Sequence, residues 1–118
     1  MNALENIESF ALFLFLHMAR VDGSLHPNER DTILEKMTEL FAGSSFNEKL
    51  TEMELYCSQL KKGVSEIILK EGLQKFSNID PVKRREIYAV LFDIINANGR
   101  VNEEETQTLQ VLKPWFTA

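Results

Sequence analysis

The sequence has little of several residue types, and each shortage excludes a class of protein. Its 118 residues include one cysteine, three prolines and five glycines, and the acidic residues outnumber the basic ones to give a net charge of -5. The lone Cys57 excludes an intrachain disulfide and fits a reducing compartment. So few glycines and prolines exclude a fibrous or low-complexity chain. The negative charge argues against nucleic acid as a partner, because neutralising phosphates requires a surplus of Lys and Arg.

Long apolar runs are also missing, apart from the stretch from Phe10 to Leu16. This stretch is far shorter than the ~20 apolar residues that a membrane span needs, and no basic n-region of a signal peptide precedes it. We interpret it as part of a first helix that is apolar nearly all round and therefore lies in the core. We expect a cytoplasmic protein that does not insert into a membrane.

Apolar residues recur at helical spacing through most of the sequence, and no stretch alternates with a period of two. This pattern predicts an all-α fold of about six helices, forming a single domain over residues 1–118. Helices 1, 3 and 4 are predicted at about residues 3–21, 47–62 and 65–76. Helices 2, 5 and 6 are predicted to begin at Pro27, Pro81 and near Glu103.

Glycine and proline indicate where helices end, and apolar spacing indicates the core. Gly43 and Gly63 are expected to end helices 2 and 3, since glycine favours the turn after a helix. Pro114 is expected to end helix 6, because its ring cannot continue a regular helix. The inward-facing apolar residues are predicted to meet in one cluster, which contains Phe10, Leu14, Met18, Ile33, Met37, Leu91, Ile94, Leu109 and Leu112.

The chain contains an internal repeat, because residues 14–33 and 90–109 follow one pattern. Each copy has an apolar helix, a turn of the form [D/N]-G-x-[L/V]-x-x-x-E and a second helix. Gly23 aligns with Gly99, and Glu29 with Glu105. Two such helical hairpins can pack about a pseudo-twofold axis, with helices 3 and 4 bridging them.

The two turns resemble the second half of a calcium-binding EF-hand loop, in which Gly at position 6 and Glu at position 12 are required. The first half fails, because Met18 and Ile94 would occupy position 1, and neither can supply a hard oxygen ligand. An orthodox EF-hand is therefore excluded. Helix capping explains Glu29 and Glu105 without any metal, and both interpretations stay open.

The paired turns resemble the TerB-like domain of tellurite-resistance proteins, a fold also found at the N-terminus of the co-chaperone DjlA. The residues that carry the resemblance are Ala19 to Leu25 with Glu29, and Asp93 and Ala97 to Val101 with Glu105. The resemblance implies a non-enzymatic helical module linked to stress response. It also implies binding of a divalent cation, calcium or magnesium, by the acidic residues Asp22, Glu29, Asp93 and Glu105. We expect this binding to be weak, because too few protein oxygens are available for tight calcium binding.

Other candidate residues have structural interpretations. Cys57 is predicted to pack as a small hydrophobe and His17 to lie at the core boundary. The basic run Lys83 to Arg85 is predicted to be a solvated face. Trp115 and Phe116 are read as an anchor folded onto the core, with an exposed docking patch as the alternative. No catalytic motif is present, so we do not expect an enzyme.

Two functions follow from the sequence. In the first, the chain is a binding or sensing module whose acidic turns hold a divalent cation. In the second, it is a metal-free scaffold for protein interactions, resembling a co-chaperone module, and the turn acids are only helix caps. Either way the partner is an unidentified protein, and a homodimer is left open.

Overall fold

A computed structural model describes residues 4–20, 27–41, 46–96 and 103–117, and these residues contain six α-helices. Within these ranges, the side chains of residues 62, 104, 105 and 115–117 are left undescribed. The helices are α1 (Ile7–Ala19), α2 (Pro27–Leu40), α3 (Asn47–Ser58), α4 (Lys62–Lys75), α5 (Pro81–Asn96) and α6 (Glu103–Thr117). The described residues contain no strand, so the predicted all-α fold is confirmed.

Helix α1 is the centre of the fold. It begins where the Asn6 side chain accepts a hydrogen bond from the backbone N–H of Ser9 at 2.8 Å, which satisfies one of the free donors of the first turn. It then carries an almost unbroken apolar sequence and is in contact with α2, α3, α4 and α5. From Phe10 to Ala19 every residue except His17 is buried. A helix that is apolar all round requires neighbours on all sides, and α1 has them.

The predicted core is confirmed. Every residue assigned to it from apolar spacing lies in one buried cluster: Phe10, Leu14, Met18, Ile33, Met37, Leu91, Ile94, Leu109 and Leu112. The cluster also includes Leu50 and Met53 of α3, so this helix closes the core against α1. None of the helices in the described ranges is long and apolar enough to cross a membrane.

The prediction that Gly63 ends helix 3 is wrong. Helix α3 ends at Ser58, and its C-cap residue Gln59 keeps a right-handed backbone with φ -91 and ψ -8, so no glycine is needed there. Gly63 instead lies in the first turn of α4, which begins at Lys62. A glycine is tolerated in a first turn, because few helical hydrogen bonds depend on it there.

The prediction that Pro114 ends helix 6 is also wrong, since α6 continues through it to Thr117. Proline removes its own N–H from the helical ladder and its ring crowds the carbonyl four residues earlier, which kinks a helix, but the residues after it can still donate to the preceding turn. Trp115 and Phe116 therefore lie in α6, but their side chains are outside the described part of the chain, and the choice between anchor and docking patch stays a prediction.

The basic run at the start of α5 is not a solvated face, which corrects that prediction. Arg84 is only 8% exposed and donates from Nη1 to the carbonyl of Ser77 at 3.5 Å. It lies three residues before Ile87 and so extends the buried stripe of α5 by one turn. Lys83 is half-buried, and only Arg85 is exposed.

Candidate functional site

The acidic residues of the two repeated turns are the candidate site, and the structure places them unequally. Asp22 and the rest of residues 21–26 lie outside the described residues, as do residues 97–102. Glu105 is in α6, but its side chain is not described. Glu29 and Asp93 are described completely, so the geometry of the site is built from these two.

Glu29 lies in the first turn of α2 and is 0% exposed. Burying an ionised carboxylate costs several kcal/mol unless hydrogen bonds, a cation or another positive charge compensates for the lost water. The first turn of a helix supplies part of that compensation, because its free N–H groups and the helix dipole favour a negative charge. The sequence pattern identified Glu29 as a cap or ligand, but it did not predict that the side chain would be wholly buried.

Asp93 lies on α5 with its side chain 51% exposed and its Oδ2 atom 3.7 Å from Nζ of Lys36 on α2. The carboxylates of Glu39 and Asp93 raise the pKa of Lys36. Lys36 lies outside both copies of the repeat, so the sequence pattern does not identify it. The ion pair forms only because α2 and α5 pack together, which is a tertiary relationship.

Two contacts fix the relative direction of α2 and α5. At one end, Nζ of Lys83 in the first turn of α5 donates to the carbonyl of Leu40, the last residue of α2, at 2.8 Å. Further along, Asp93 in the last turn of α5 contacts Lys36. The position along α5 advances as the position along α2 retreats, so the helices are antiparallel. The end of α5 contacts α2 at Lys36, which lies nearer to the end of α2 than to its beginning, so these contacts do not place the end of α5 beside Glu29.

A complete metal site is not assembled from the described residues alone. Within residues 4–20, 27–41, 46–96 and 103–117, no group of three or more His, Cys, Asp or Glu side chains is arranged to hold a metal ion. Glu29 and Lys36 are separated by roughly 10 Å of helix, so the contact between Lys36 and Asp93 does not itself bring Asp93 to Glu29. Any shared site would need oxygens from the two turns.

His17 and Cys57 occupy positions that agree with their structural interpretations. His17 is half-buried and stacks on Phe13, with ring centroids 6.0 Å apart. Cys57 is partly buried against the core cluster. Burial raises the pKa of its thiol from 9.0 to about 11, so the thiolate that a nucleophile requires is suppressed.

The comparisons with known proteins give one match, and it extends over almost the whole chain. Curated proteins and solved structures show no significant match. The family model described as Tellurite resistance protein TerB matches residues 8–116, which include both repeated turns and all the helices between them. The chain therefore belongs to the TerB family.

Proposed function

We propose that this chain is a non-enzymatic binding or sensing module of the cytoplasm that takes up a divalent cation, calcium or magnesium, where α2 begins and α5 ends. Asp22, Glu29, Asp93 and Glu105 are the proposed ligands. The observation that carries the proposal is the complete burial of the Glu29 carboxylate at the beginning of α2. A hard cation compensates the negative charge of a buried carboxylate and accepts its oxygens as ligands.

The direction of the helices supports a shared site. Because α2 and α5 are antiparallel, the beginning of α2 and the end of α5 point in the same direction. The carbonyl oxygens in the last turn of α5 accept no hydrogen bond within that helix. Carbonyl oxygens of this kind are suitable ligands for calcium and magnesium. The cation would supply positive charge among converging acidic residues, and its release would restore their repulsion.

Lys36 gives a reason for expecting weak binding. Its ammonium group lies near Asp93 and already provides that carboxylate with a positive charge, so a cation has to compete with it. Few charged oxygens remain beyond Glu29 and the turns. We expect a dissociation constant no better than the ~10⁻⁴ to 10⁻³ M of weak calcium modules. A role in stress response, with binding of the cation as the signal, is part of the proposal and rests on the family resemblance.

The experiment is a thermal melt of the wild type and of Glu29→Gln with Glu105→Gln, each with and without millimolar calcium or magnesium. Glutamine still serves in a helix cap but is a poor ligand for a hard cation. The wild type should melt at a higher temperature with the cation, since a ligand that binds only the folded state stabilises it. The double variant should lose this increase and keep its metal-free melting temperature.

The matched control is Glu35→Gln with Glu103→Gln, which removes the same number of charges from exposed positions of α2 and α6. This control should keep the cation-dependent increase. If the wild type shows no increase, the turn acids are caps and the second function, a metal-free interaction scaffold, takes the place of the first.

A further inference from the structure

A groove of about 270 Å³ lies between α4 and α6, away from the residues of the proposed cation site. Glu66, Leu69, Lys70 and Leu73 of α4 form one wall, Val111 of α6 lies on the other, and His17 of α1 also lines it. His17 is the one residue between Phe10 and Ala19 that is not buried. The groove therefore reaches the central helix at His17.

Exposed apolar side chains lie in the groove and next to it. Val111, which lines the groove, is 60% exposed, and Ile67, on the outward side of α4 between Glu66 and Lys70 in sequence, is 56% exposed. A single exposed apolar residue needs no explanation, but a group of them beside a concave surface is typical of an interface.

The α4 wall carries an acid and a base that can pair with the base and the acid of a second α4 helix. Glu66 and Lys70 are one helical turn apart, and neither side chain makes an ion pair or hydrogen bond to the part of the chain that the structure describes. If a second α4 lies against the first in the opposite direction, the order of the two charges is reversed. Glu66 then faces the partner's Lys70, and the twofold axis repeats the pair.

We propose that the groove binds a second copy of this chain, with the two α4 helices antiparallel across a twofold axis. Ile67 lies between the two charged residues in sequence and so near the axis, where its exposed side chain packs against the α4 helix of the other copy. A twofold interface requires a surface that complements itself. An acid and a base one turn apart on a helix meet that requirement. Binding of an unrelated partner would not require this arrangement of charges.

The test is sedimentation equilibrium of the full chain in a chelator, over concentrations up to about 1 mM, the range of weak association. The chelator separates this proposal from the one on cation binding. The wild type should dimerise as concentration rises. Glu66→Lys and Lys70→Glu should each weaken self-association about tenfold or more, because every copy then presents two like charges to its partner. An equimolar mixture of the two variants should associate again, because opposite charges now face each other.

Matched controls keep the result specific. Glu52→Lys makes the same charge change at an exposed position of α3 and should leave the dimer unchanged. Ile67→Ser should weaken the dimer, whereas Leu55→Ser, at an α3 residue that is 63% exposed, should not. Far-UV circular dichroism verifies that every variant is folded. A wild type that stays monomeric throughout, or a mixture of the two charge variants that does not associate, overturns the proposal.

Discussion

Gly72 of α4 packs directly on the ring of Phe10 in α1, and a Cβ atom at Gly72 would overlap ring atoms of Phe10. The ring has no free space to move into, because Phe10 is fully buried and stacks on Phe76 with centroids 5.3 Å apart and planes 24° apart. The absence of a side chain at Gly72 therefore sets how closely α4 approaches the central helix.

This contact predicts that Gly72→Ala destabilises the protein. Alanine is the better helix former by roughly 1 kcal/mol, but inserting a methyl group into a packed core costs about 1 to 3 kcal/mol. We expect the steric cost to exceed the gain, so chemical denaturation should show a net loss. Gly63→Ala is the control in the same helix, since a Cβ there meets nothing within 4 Å. It should be neutral or stabilising, and equal effects at both glycines would contradict the packing.

The core predicts large losses on truncation. Leu14 is 1% exposed and Leu91 is 0% exposed. Replacing either with alanine should reduce the free energy of unfolding by about 2 to 5 kcal/mol, through lost burial and the cavity left behind. Leu55→Ala, at an exposed position, should cost under about 0.5 kcal/mol. Losses below about 1 kcal/mol at both core leucines would mean that the helices bury other faces.

Cys57 predicts a pH dependence of stability. Burial raises the pKa of its thiol from 9.0 to about 11 in the folded chain, so the folded state holds this proton where the unfolded state has released it. Stability from this group is complete below pH 9.0 and is lost as the pH rises towards about 11. The difference in unfolding free energy between wild type and Cys57→Ala should therefore fall across this range. A difference that does not change with pH would contradict the raised pKa of the Cys57 thiol.

Lys36 predicts an effect on the proposed cation site. Because its ammonium group competes with a cation for Asp93, Lys36→Gln should tighten binding of calcium or magnesium by less than about tenfold, the modest range of exposed charges. Isothermal titration measures the change. Lys49→Gln, which removes the partner of Glu8 at 3.9 Å on another side of the protein, should leave the affinity nearly unchanged. If both variants bind alike, Lys36 does not compete with the cation.

Apolar spacing was sufficient to predict the helices and the core, because a helix must bury its apolar stripe whatever the connecting turns do. The stripe of Ile87, Leu91 and Ile94 is an example, and all of these residues are buried. The predicted helix ends at Gly63 and Pro114 were wrong because each residue is tolerated inside the helix that contains it. The conformational preference of a single residue predicts the end of a helix poorly when tertiary packing extends that helix.

The candidate site was less predictable, because its properties depend on which helices meet. The repeat pointed to Glu29 and the family resemblance to Asp93, but neither the full burial of Glu29 nor the ion pair of Asp93 with Lys36 is encoded by spacing. Arg84 shows the same limit. Three consecutive basic residues are typical of a solvated face, yet the helical period turns the middle one toward the core, where its apolar stem can pack.

The most direct test of the cation proposal is a backbone amide NMR titration of the wild type with magnesium or calcium up to millimolar concentration. We predict saturable shifts confined to the start of α2 around Glu29, the end of α5 after Asp93 and the first turn of α6 around Glu105, all with one dissociation constant. Shifts that do not saturate, or that are spread evenly over the exposed acidic residues of α3 and α4, would contradict a shared site and leave the turn acids as helix caps.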